Sequence, residues 1–319
     1  MLPRSALSIA AAIIAVSSNV SLASSEVAVP FIVGGEDAPV GEYPWMTQLK
    51  ADGSYCGAVL INQQWVLSAA HCTFDQYSVG HYAPKEKIKV KIGGDVFSYL
   101  EEDGEAVSEV CQHPNFVDSI EEGSNQVIGD NDIVLLRLAE PSSVTPIAIN
   151  QSAIHQDYNP GFGLRVIGFG RTNTDPDNPT FKDNLQQANV NLMAQNRCAE
   201  VWGSAELTAQ MFCAESFTAD SCSGDSGGPI FIDEGTQYKL AGLVSWGSKF
   251  CENTPGVYVD VGQLSPWITE VINSTAEERS NASLCSQKAA LARPESSGGG
   301  AFGGIAIVAL LVLRSFRRA

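Results

Sequence analysis

Basic side chains are scarce in this chain. It has 19 Lys and Arg against 36 Asp and Glu, which gives a formal net charge of −17. Because like charges repel, so acidic a chain is a poor ligand for nucleic acid or for an anionic membrane surface. We therefore expect no nucleic-acid partner, and we interpret the excess of acid as a solvated surface rather than a recognition device.

Regular helical periodicity is scarce as well. Only 17% of the residues are charged and 44% are hydrophobic, which is enough for a sizeable core. Glycine is abundant, with 29 residues. Short β-rich runs recur between turn residues, at Trp65–Leu67, Ile88–Ile92, Ile133–Leu136, Leu164–Ile167 and Leu240–Val244. This pattern predicts an all-β barrel or sandwich.

The chain also has no C-x-x-C pair among its eight cysteines, which favours disulfides over a zinc site. The N-terminus points the same way, because Arg4, an apolar core at Ile9–Val16 and small residues at Ser21–Ala23 have the arrangement of a secretory signal. An even number of cysteines in an exported protein predicts disulfides. We predict a signal peptide at 1–23, whose apolar run is too short to span a membrane, and a pro-segment at 24–31.

The most informative stretch is DSCSGDSGGP, from Asp220 to Pro229. It contains Ser226, whose hydroxyl is a weak nucleophile unless a base removes its proton. His71, in LSAAHC, is a candidate base, and Asp132, in NDIVLLRL, is a candidate acid to orient it. The order of histidine, aspartate and serine along the chain distinguishes one class of serine peptidase from the others.

Seven segments in a consistent order make the chain resemble a trypsin-type serine peptidase of the chymotrypsin family, from about Ile32 to Asn273. They are IVGG at 32–35, AAHC at 69–72, DIVLL at 132–136, GFG at 168–170, GDSGGP at 224–229, SWG at 245–247 and PGVY at 255–258. The resemblance implies an all-β peptidase domain over 32–273. It would consist of two six-stranded antiparallel β-barrels with a short C-terminal helix, and the site would lie in the cleft between them.

The resemblance also implies a secreted serine endopeptidase that forms an acyl-enzyme on protein or peptide substrates and needs no cofactor. Ser226 would be the nucleophile, His71 the general base and acid, and Asp132 the group that orients the imidazole. The backbone N–H groups of Gly224 and Ser226 would stabilise the oxyanion. We expect a monomer.

For substrate recognition, the resemblance places Asp220 at the base of the primary specificity pocket, which implies cleavage after Arg or Lys. A solvated loop acid is the alternative for this residue. Gly247 and Gly256 would keep the pocket open. The segment Ser245, Trp246 and Gly247 would pair with the substrate backbone, while packing inside the barrel is a second interpretation of Trp246.

Activation is expected to follow the zymogen pattern of the family. Ile32 would become a new N-terminus whose ammonium group pairs with Asp225 and orders the oxyanion loop. Phe31 departs from the pattern, because trypsin-like zymogens often carry Arg or Lys before the cut. A pocket for basic residues would not accept Phe31, so the sequence predicts a separate activating peptidase.

The cysteines are assigned by resemblance to three pairs, Cys56–Cys72, Cys198–Cys213 and Cys222–Cys251. Cys111 and Cys285 remain, and the simplest inference joins them, with zinc binding as the alternative. The acidic cluster at 101–105 loosely resembles a calcium loop. Its spacing does not match convincingly, so a solvated loop is favoured over calcium.

The C-terminus is expected to have two parts. Residues 274–297 are polar and predict a linker. Residues 298–319 are glycine-rich, then apolar, and end with Arg314, Arg317 and Arg318. The apolar run is short for a membrane span, and the arginines predict a cytoplasmic end.

The tail at 298–319 resembles the GlyGly-CTERM sorting signal of some Gram-negative secreted proteins, which a membrane peptidase removes. We therefore expect a secreted or cell-surface protein of such a bacterium. A glycolipid-anchor signal normally ends apolar, and a permanent anchor remains open.

Two other functions stay open beside a trypsin-like endopeptidase. One is a non-catalytic binding module on the same fold, because a fold does not determine a function. The retention of His71, Asp132, Ser226 and Gly224 argues against it. The other is an activator of narrow specificity, which the long stretch between His113 and Asp132 favours because it borders the cleft.

Overall fold

The computed structural model describes residues 32–73, 82–98, 100, 104–117, 129–217, 219–251 and 254–286. The signal peptide, the pro-segment with Phe31, most of the acidic cluster at 101–105 and the C-terminal tail lie outside these residues. The same holds for His81 and for the middle of the stretch between His113 and Asp132. Of the helices in the described part of the chain, none has both the length and the apolar character to cross a membrane.

The first barrel follows a short edge strand and has six antiparallel strands. The edge strand is β1 (Glu36–Asp37). The six barrel strands are β2 (Met46–Ala51), β3 (Ser54–Asn62), β4 (Trp65–Ser68), β5 (Ile88–Ile92), β6 (Glu105–Gln112) and β7 (Val134–Leu138). The order around the barrel is β2-β3-β4-β7-β6-β5, and pairing of β2 with β5 closes it. Two 3₁₀ turns lie at Ala70–Thr73 and Lys85–Lys87.

The second barrel also has six antiparallel strands, with β1 and a short strand β8 at its margins. The short strand is β8 (Ala148–Ile149). The six barrel strands are β9 (Gly163–Gly168), β10 (Gln186–Leu192), β11 (Met211–Glu215), β12 (Pro229–Asp233), β13 (Tyr238–Trp246) and β14 (Gly256–Asp260). Their order is β10-β11-β14-β13-β12-β9, and pairing of β9 with β10 closes this barrel. The prediction of two six-stranded barrels is confirmed.

The strands form because apolar side chains alternate with polar ones. In β10, Ala188, Val190 and Leu192 point into the barrel, whereas Asn189 and Asn191 are exposed. Side chains of successive strand residues point to opposite faces, so this alternation buries one face and solvates the other. Each barrel thereby has an apolar interior. Phe231, Leu240 and Leu243 of the second barrel pack in the same apolar cluster as the core of the first.

Helices are short and lie outside the barrels. They are α1 (Ile154–Asp157), α2 (Gln195–Trp202), α3 (Val261–Asn273) and α4 (Ala276–Arg279), with a 3₁₀ turn at Ser204–Glu206. Asp260 caps α3 by accepting a hydrogen bond from Gln263 N at 3.1 Å. The helix then packs Leu264, Ile268 and Val271 against the core of the first barrel. This helix is the expected C-terminal helix.

The eight cysteines form four disulfides in the structure. They are Cys56–Cys72, Cys111–Cys285, Cys198–Cys213 and Cys222–Cys251, the same pairs that the sequence analysis assigns. The pair Cys111–Cys285 spans 174 residues and joins β6 to the segment after α3. This pairing leaves neither sulfur as a zinc ligand.

Residues 274–286, which we call the C-terminal strap, correct the predicted linker at 274–297. They contain α4, capped reciprocally by Thr275 and Glu278. Leu284 and Cys285 are buried in the core of the first barrel. The prediction rested on the shortage of large apolar residues, and it is wrong here because a disulfide and buried polar contacts hold the strap instead.

Candidate active site

The 3₁₀ turn at Ala70–Thr73 brings His71 to Asp132. The Nδ1 atom of His71 lies 2.7 Å from Asp132 Oδ2, and the backbone N–H of His71 donates to Asp132 Oδ1 at 2.9 Å. The side chain of Asp132 is 2% exposed, whereas that of His71 is 32% exposed. The carboxylate is thus shielded from water while the imidazole keeps one edge open to the cleft.

Ser245 contributes a third hydrogen bond to this carboxylate. Its Oγ donates to Asp132 Oδ2 at 2.6 Å from strand β13 of the second barrel. From the sequence, Ser245 is expected only to pair with the substrate, because nothing in the segment at 245–247 indicates that its hydroxyl faces Asp132. The acid is therefore held by groups from both barrels.

The electrostatics of the pair favour a charged imidazole. Burial opposes that charge, but the negative charge of Asp132 and its hydrogen bond outweigh burial and raise the pKa of His71 above its usual value. Burial would raise the pKa of Asp132, but His71 and the hydrogen bonds hold it below its usual value. An imidazole in this setting can accept a proton while the acid stays ionised.

Ser226 lies at the junction of the two barrels. Its carbonyl accepts a hydrogen bond from Gly57 N of β3 at 2.8 Å. The Sγ atom of Cys72, next to His71, lies 3.5 Å from the same carbonyl oxygen. The loop of Ser226 is thereby tied to the segment that carries His71. Two residues earlier, Gly224 has φ +101°, a conformation that side chains rarely adopt.

Asp225 is fully buried behind this loop. Its carboxylate accepts hydrogen bonds from Gly170 N and Cys222 N, each at 2.8 Å. A Cβ at Gly170 or at Gly168 would lie within 2.5 Å of a carboxylate oxygen, so both glycines make room for the acid. Burial raises the pKa of Asp225 to about 6, against those two hydrogen bonds. Among the described residues, no cation forms an ion pair with it.

Ile32 lies inside the second barrel. Its side chain is fully buried, and the next residue, Val33, pairs with Asp220 through a hydrogen bond from Asp220 N to Val33 O at 2.8 Å. The φ of Ile32 is +40°, an unusual value for a β-branched residue. The chain thus enters the second barrel at Ile32, whose backbone is strained.

Asp220 lies next to Ser221, and its charge acts on the hydroxyl of Tyr258. Burial and the nearby charge of Asp225 raise the pKa of Asp220 to about 7, opposed by a hydrogen bond from Ser221 N. A Cβ on Gly256 would come within 3.0 Å of the hydroxyl of Tyr258. Glycine at this position therefore prevents a clash with Tyr258. Such a poorly solvated acid has a strong electrostatic reason to bind a cation.

Trp246 lies at the end of β13. It meets Trp202 edge to face with ring centroids 5.1 Å apart, so packing accounts for part of its role. Its Nε1 is buried and has no hydrogen-bond partner in the described part of the chain. Gly247 follows, and a Cβ there would meet only Gly256 at 3.8 Å. Pairing of Ser245, Trp246 and Gly247 with a substrate stays a prediction.

An aromatic cavity of about 420 Å³ borders Ser223 and Gly224, and no pattern in the sequence predicted it. Its aromatic walls are Tyr55, Phe97, Phe169 and Phe181. The Tyr55 and Phe97 rings are 5.5 Å apart, and Phe97 and Phe169 are 5.8 Å apart. No local signal could have revealed the cavity, because its residues come from distant parts of the chain.

His113 and His155, the other two histidines in the described part of the chain, form no ion pair with an acid there. His113 packs edge to face on Trp267, and burial lowers the pKa of His113 to about 4, so it is neutral at physiological pH. His155 lies on the exposed α1. Cys56, His71 and Cys72 approach one another within 4.8 Å, but both sulfurs belong to one disulfide and cannot act as thiolate ligands.

Two closed barrels with a His–Asp pair and a serine at their junction define the class of serine proteases with the chymotrypsin fold. Residues 32–268 match the family model described as Trypsin, so the chain belongs to the trypsin family. Members of this family are endopeptidases that act on protein or peptide substrates and need no cofactor.

Among curated proteins, the chain is similar to Transmembrane protease serine 9 of Rattus norvegicus. The two are 35% identical over 258 residues, which make up 76% of this chain and 22% of the relative. The chain therefore spans about a fifth of the length of this relative.

Proposed function

We propose that the protein is a serine endopeptidase in which Ser226, His71 and Asp132 form the catalytic triad. His71 removes the Ser226 proton, and Oγ attacks the peptide carbonyl to form a tetrahedral intermediate. His71 then protonates the leaving amine, and water hydrolyses the resulting acyl-enzyme by the same steps. The hydrogen-bonded group of His71, Asp132 and Ser245 carries this proposal.

The backbone N–H groups of Gly224 and Ser226 are proposed to stabilise the oxyanion. Support comes from the φ of +101° at Gly224, which a glycine adopts without cost and which turns the peptide away from the regular strand direction. Each such donor contributes about 3–4 kcal/mol to the transition state.

Cleavage after Arg or Lys is the proposed specificity. Asp220 is poorly solvated, and burial raises its pKa to about 7. A guanidinium or ammonium group bound there would pair with the carboxylate and lower its pKa. The same reasoning disfavours a solvated loop acid.

Peptide reporters test the specificity. We expect kcat/KM for an arginyl reporter to exceed that for a phenylalanyl reporter by more than 100-fold. Asp220→Ser should lower arginyl cleavage by about 10²–10³-fold, the effect of losing a buried charge pair worth roughly 3–4 kcal/mol. Asp233→Ser, an acid outside the pocket, is the matched control. Preference of the unaltered enzyme for phenylalanyl reporters would refute the assignment.

Activation is proposed to require a cut between Phe31 and Ile32 by another peptidase. The buried Asp225 has no cationic partner among the described residues, and a new ammonium group at Ile32 would supply one. The φ of Ile32 is +40°, a conformation that costs about 1–3 kcal/mol. After the cut, Ile32 has no preceding peptide bond to constrain it, so this strain is released. Both effects favour the cut form.

The ends of the mature protein are proposed to follow the sequence assignments, with a signal at 1–23 and a sorting tail at 298–319. Trypsin-like proteases are in general secreted or membrane-associated, in keeping with a secreted or cell-surface bacterial enzyme, which we propose to be a monomer. A membrane peptidase would remove the tail. Mass spectrometry of active protein from its native host should find Ile32 at the N-terminus and no residues of the tail. A different N-terminus would contradict the activation site.

The aromatic cavity is proposed to bind an apolar side chain of the leaving peptide. Cys56, Gly57, Ser223 and Gly224 also line it, so it adjoins the proposed oxyanion site, and we propose that it lies on the side of the leaving peptide. Peptides with Phe or Leu just after the cut should be cleaved faster than those with Asp. Phe181→Ala should reduce this preference, whereas Phe217→Ala, a fully exposed phenylalanine outside the cavity, should not.

A further inference from the structure

The C-terminal strap is anchored to the outside of the first barrel by a buried arginine. Arg279 donates from Nε and Nη2 to the two carboxylate oxygens of Glu109 on β6, at 2.7 and 2.9 Å. Its guanidinium also lies 5.2 Å from the ring centre of Trp65. A bidentate pair of this kind fixes direction as well as distance, so the strap has a defined position on β6.

The end of the strap is attached to the last residues of the same strand. Cys285 forms the disulfide with Cys111, and Ser286 N donates to Gln112 O at 2.9 Å. Trp267 of α3 donates from Nε1 to Leu284 O at 2.9 Å. The disulfide and the Ser286–Gln112 hydrogen bond thus hold the C-terminal end of β6, and the Trp267–Leu284 hydrogen bond holds the strap to α3. Each contact involves a residue beyond 268, where the family match ends.

The side chain of Gln112 extends from this held strand to the turn that carries His71. Gln112 is 1% exposed, and its Nε2 donates to Thr73 Oγ1 at 2.6 Å. Thr73 Oγ1 in turn donates to Ala70 O at 2.7 Å. Gln112 therefore contacts the 3₁₀ turn at Ala70–Thr73 from inside the protein.

The same end of β6 contacts the segment that carries Asp132. Gln112 pairs with Val134 in the register of β6 and β7, and His113 N donates to Ile133 O at 3.1 Å. The residues at 111–113 thus lie between the supports of His71 and Asp132. A shift of this strand end would move one support relative to the other.

We propose that Gln112 is a positioning residue that sets the His71–Asp132 geometry, and that the C-terminal strap holds Gln112 in place. Proton transfer depends steeply on this geometry, since misplacement by about 1 Å can cost roughly 100-fold in rate. Groups that hold a catalytic side chain from behind supply such precision. This inference rests on the proposed roles of His71 and Asp132.

The first test compares Gln112→Met with Gln195→Met in the full chain, each after activation and titration of active sites. Methionine keeps the length of the side chain and removes the Nε2 donor. Gln195 is the control because its Nε2 also donates to a protein oxygen, Met211 O, whereas Nε2 of Gln112 has a second, longer hydrogen bond of 3.5 Å to Ala70 O. The Oε1 atoms of both glutamines lack a hydrogen-bond partner among the described residues.

We expect Gln112→Met to lower kcat per active site by about tenfold with little change in KM. The acidic limb of the kcat/KM profile should move to lower pH, because a looser contact with Asp132 raises the pKa of His71 less. A role in folding alone would reduce the number of active sites but leave both values per site unchanged. That result, or an equal effect of Gln195→Met, would overturn the assignment of Gln112.

The second test asks whether the strap acts through Gln112. Cys111→Ala/Cys285→Ala should lower kcat and move the acidic limb in the same direction. Combined with Gln112→Met, the loss should stay near tenfold rather than multiply, because both changes act on one contact. Multiplicative losses would show that the strap acts independently. If the cysteine variant does not fold, Ser286→Pro, which removes the N–H donated to Gln112, replaces it.

The proposed function is judged separately in these experiments. Ser226→Ala must abolish arginyl cleavage if the triad assignment is right. If Ser226→Ala retains activity, the proposed function fails. If it abolishes activity and Gln112→Met matches the unaltered enzyme per active site, only the inference about Gln112 fails.

Discussion

The two barrels contribute to the site in different electrostatic states. In the first barrel, Asp132 is paired with His71 and its pKa is lowered. In the second barrel, Asp220 is half-buried and Asp225 is fully buried, both without a cationic partner among the described residues. Their pKa values are raised to about 7 and about 6. The negative charge of Asp132 is thus balanced by His71 within the chain, whereas the described residues supply no positive charge to balance Asp220 and Asp225.

The difference follows from what each barrel is proposed to bind. The first barrel holds a base whose partner must stay in place through every cycle, so the chain itself supplies the acid. The second barrel is proposed to receive a substrate cation at Asp220 and a new ammonium group at Asp225. Buried acids without partners destabilise a fold, and here that cost makes both binding events favourable.

The largest expected effect tests whether the two halves act as one unit. Ser226→Ala and His71→Ala should each lower kcat by about 10⁴–10⁶-fold, and the double variant should be no worse than the poorer single one. Steady-state rates on an arginyl reporter measure this. Further loss in the double variant would mean that the two residues act in separate steps.

The next effect tests the uncompensated acid of the second barrel. Asp225→Asn should lower kcat of the cut enzyme by at least about 10²-fold, comparable to the loss of an oxyanion donor, because the Gly224 loop loses its link to Ile32. Asp260→Asn is the control, since this buried acid caps α3 away from the site. Equal kcat losses in both variants would indicate general damage rather than a specific link.

A smaller effect concerns stability in the uncut chain. Because the pKa of Asp225 is raised in the folded state, that state binds a proton up to about pH 6, whereas the unfolded state releases it near pH 4. The contribution of Asp225 to the free energy of unfolding should therefore fall by about 2 kcal/mol between pH 4.5 and pH 7.5.

Urea unfolding of the uncut Ser226→Ala protein at pH 4.5 and 7.5 measures this change. Adding Asp225→Asn should remove about that much of the pH dependence, and other titrating groups cancel in the comparison. The same pH dependence with and without Asp225 would contradict the idea that this acid lacks compensation.

The smallest effect concerns the compensated first barrel. Glu109→Gln leaves the buried Arg279 without its carboxylate and should lower the free energy of unfolding by about 1–3 kcal/mol. Glu200→Gln removes a carboxylate from the exposed Arg197 and should change it by less than about 0.5 kcal/mol. Thermal unfolding of both variants measures the difference, and equal shifts would show that the strap is weakly anchored.

Local sequence signals were sufficient for part of this molecule. The short β-rich runs predicted an all-β barrel or sandwich, and the resemblance carried by seven segments implied the two barrels. The segments around His71, Asp132 and Ser226 brought the candidate triad into view. The strap was only half predicted, because Cys285 indicated a link to Cys111 while the polar composition indicated a linker. The spacing of Thr275 and Glu278, typical of a capping box, was a signal for α4 that could have been used.

The sequence by itself determined the chemistry: a serine, a histidine and an aspartate in a characteristic order, an acid six residues before the serine, and cysteines in even number. These features depend on residue type and on short segments, which can be inspected directly. Only the tertiary structure decided that Ser245 faces Asp132, that four distant aromatic residues enclose a cavity, and that Gln112 joins the strap to the turn of His71. Such contacts depend on barrel closure and packing, which bring together residues whose separation along the chain carries no sign of their proximity.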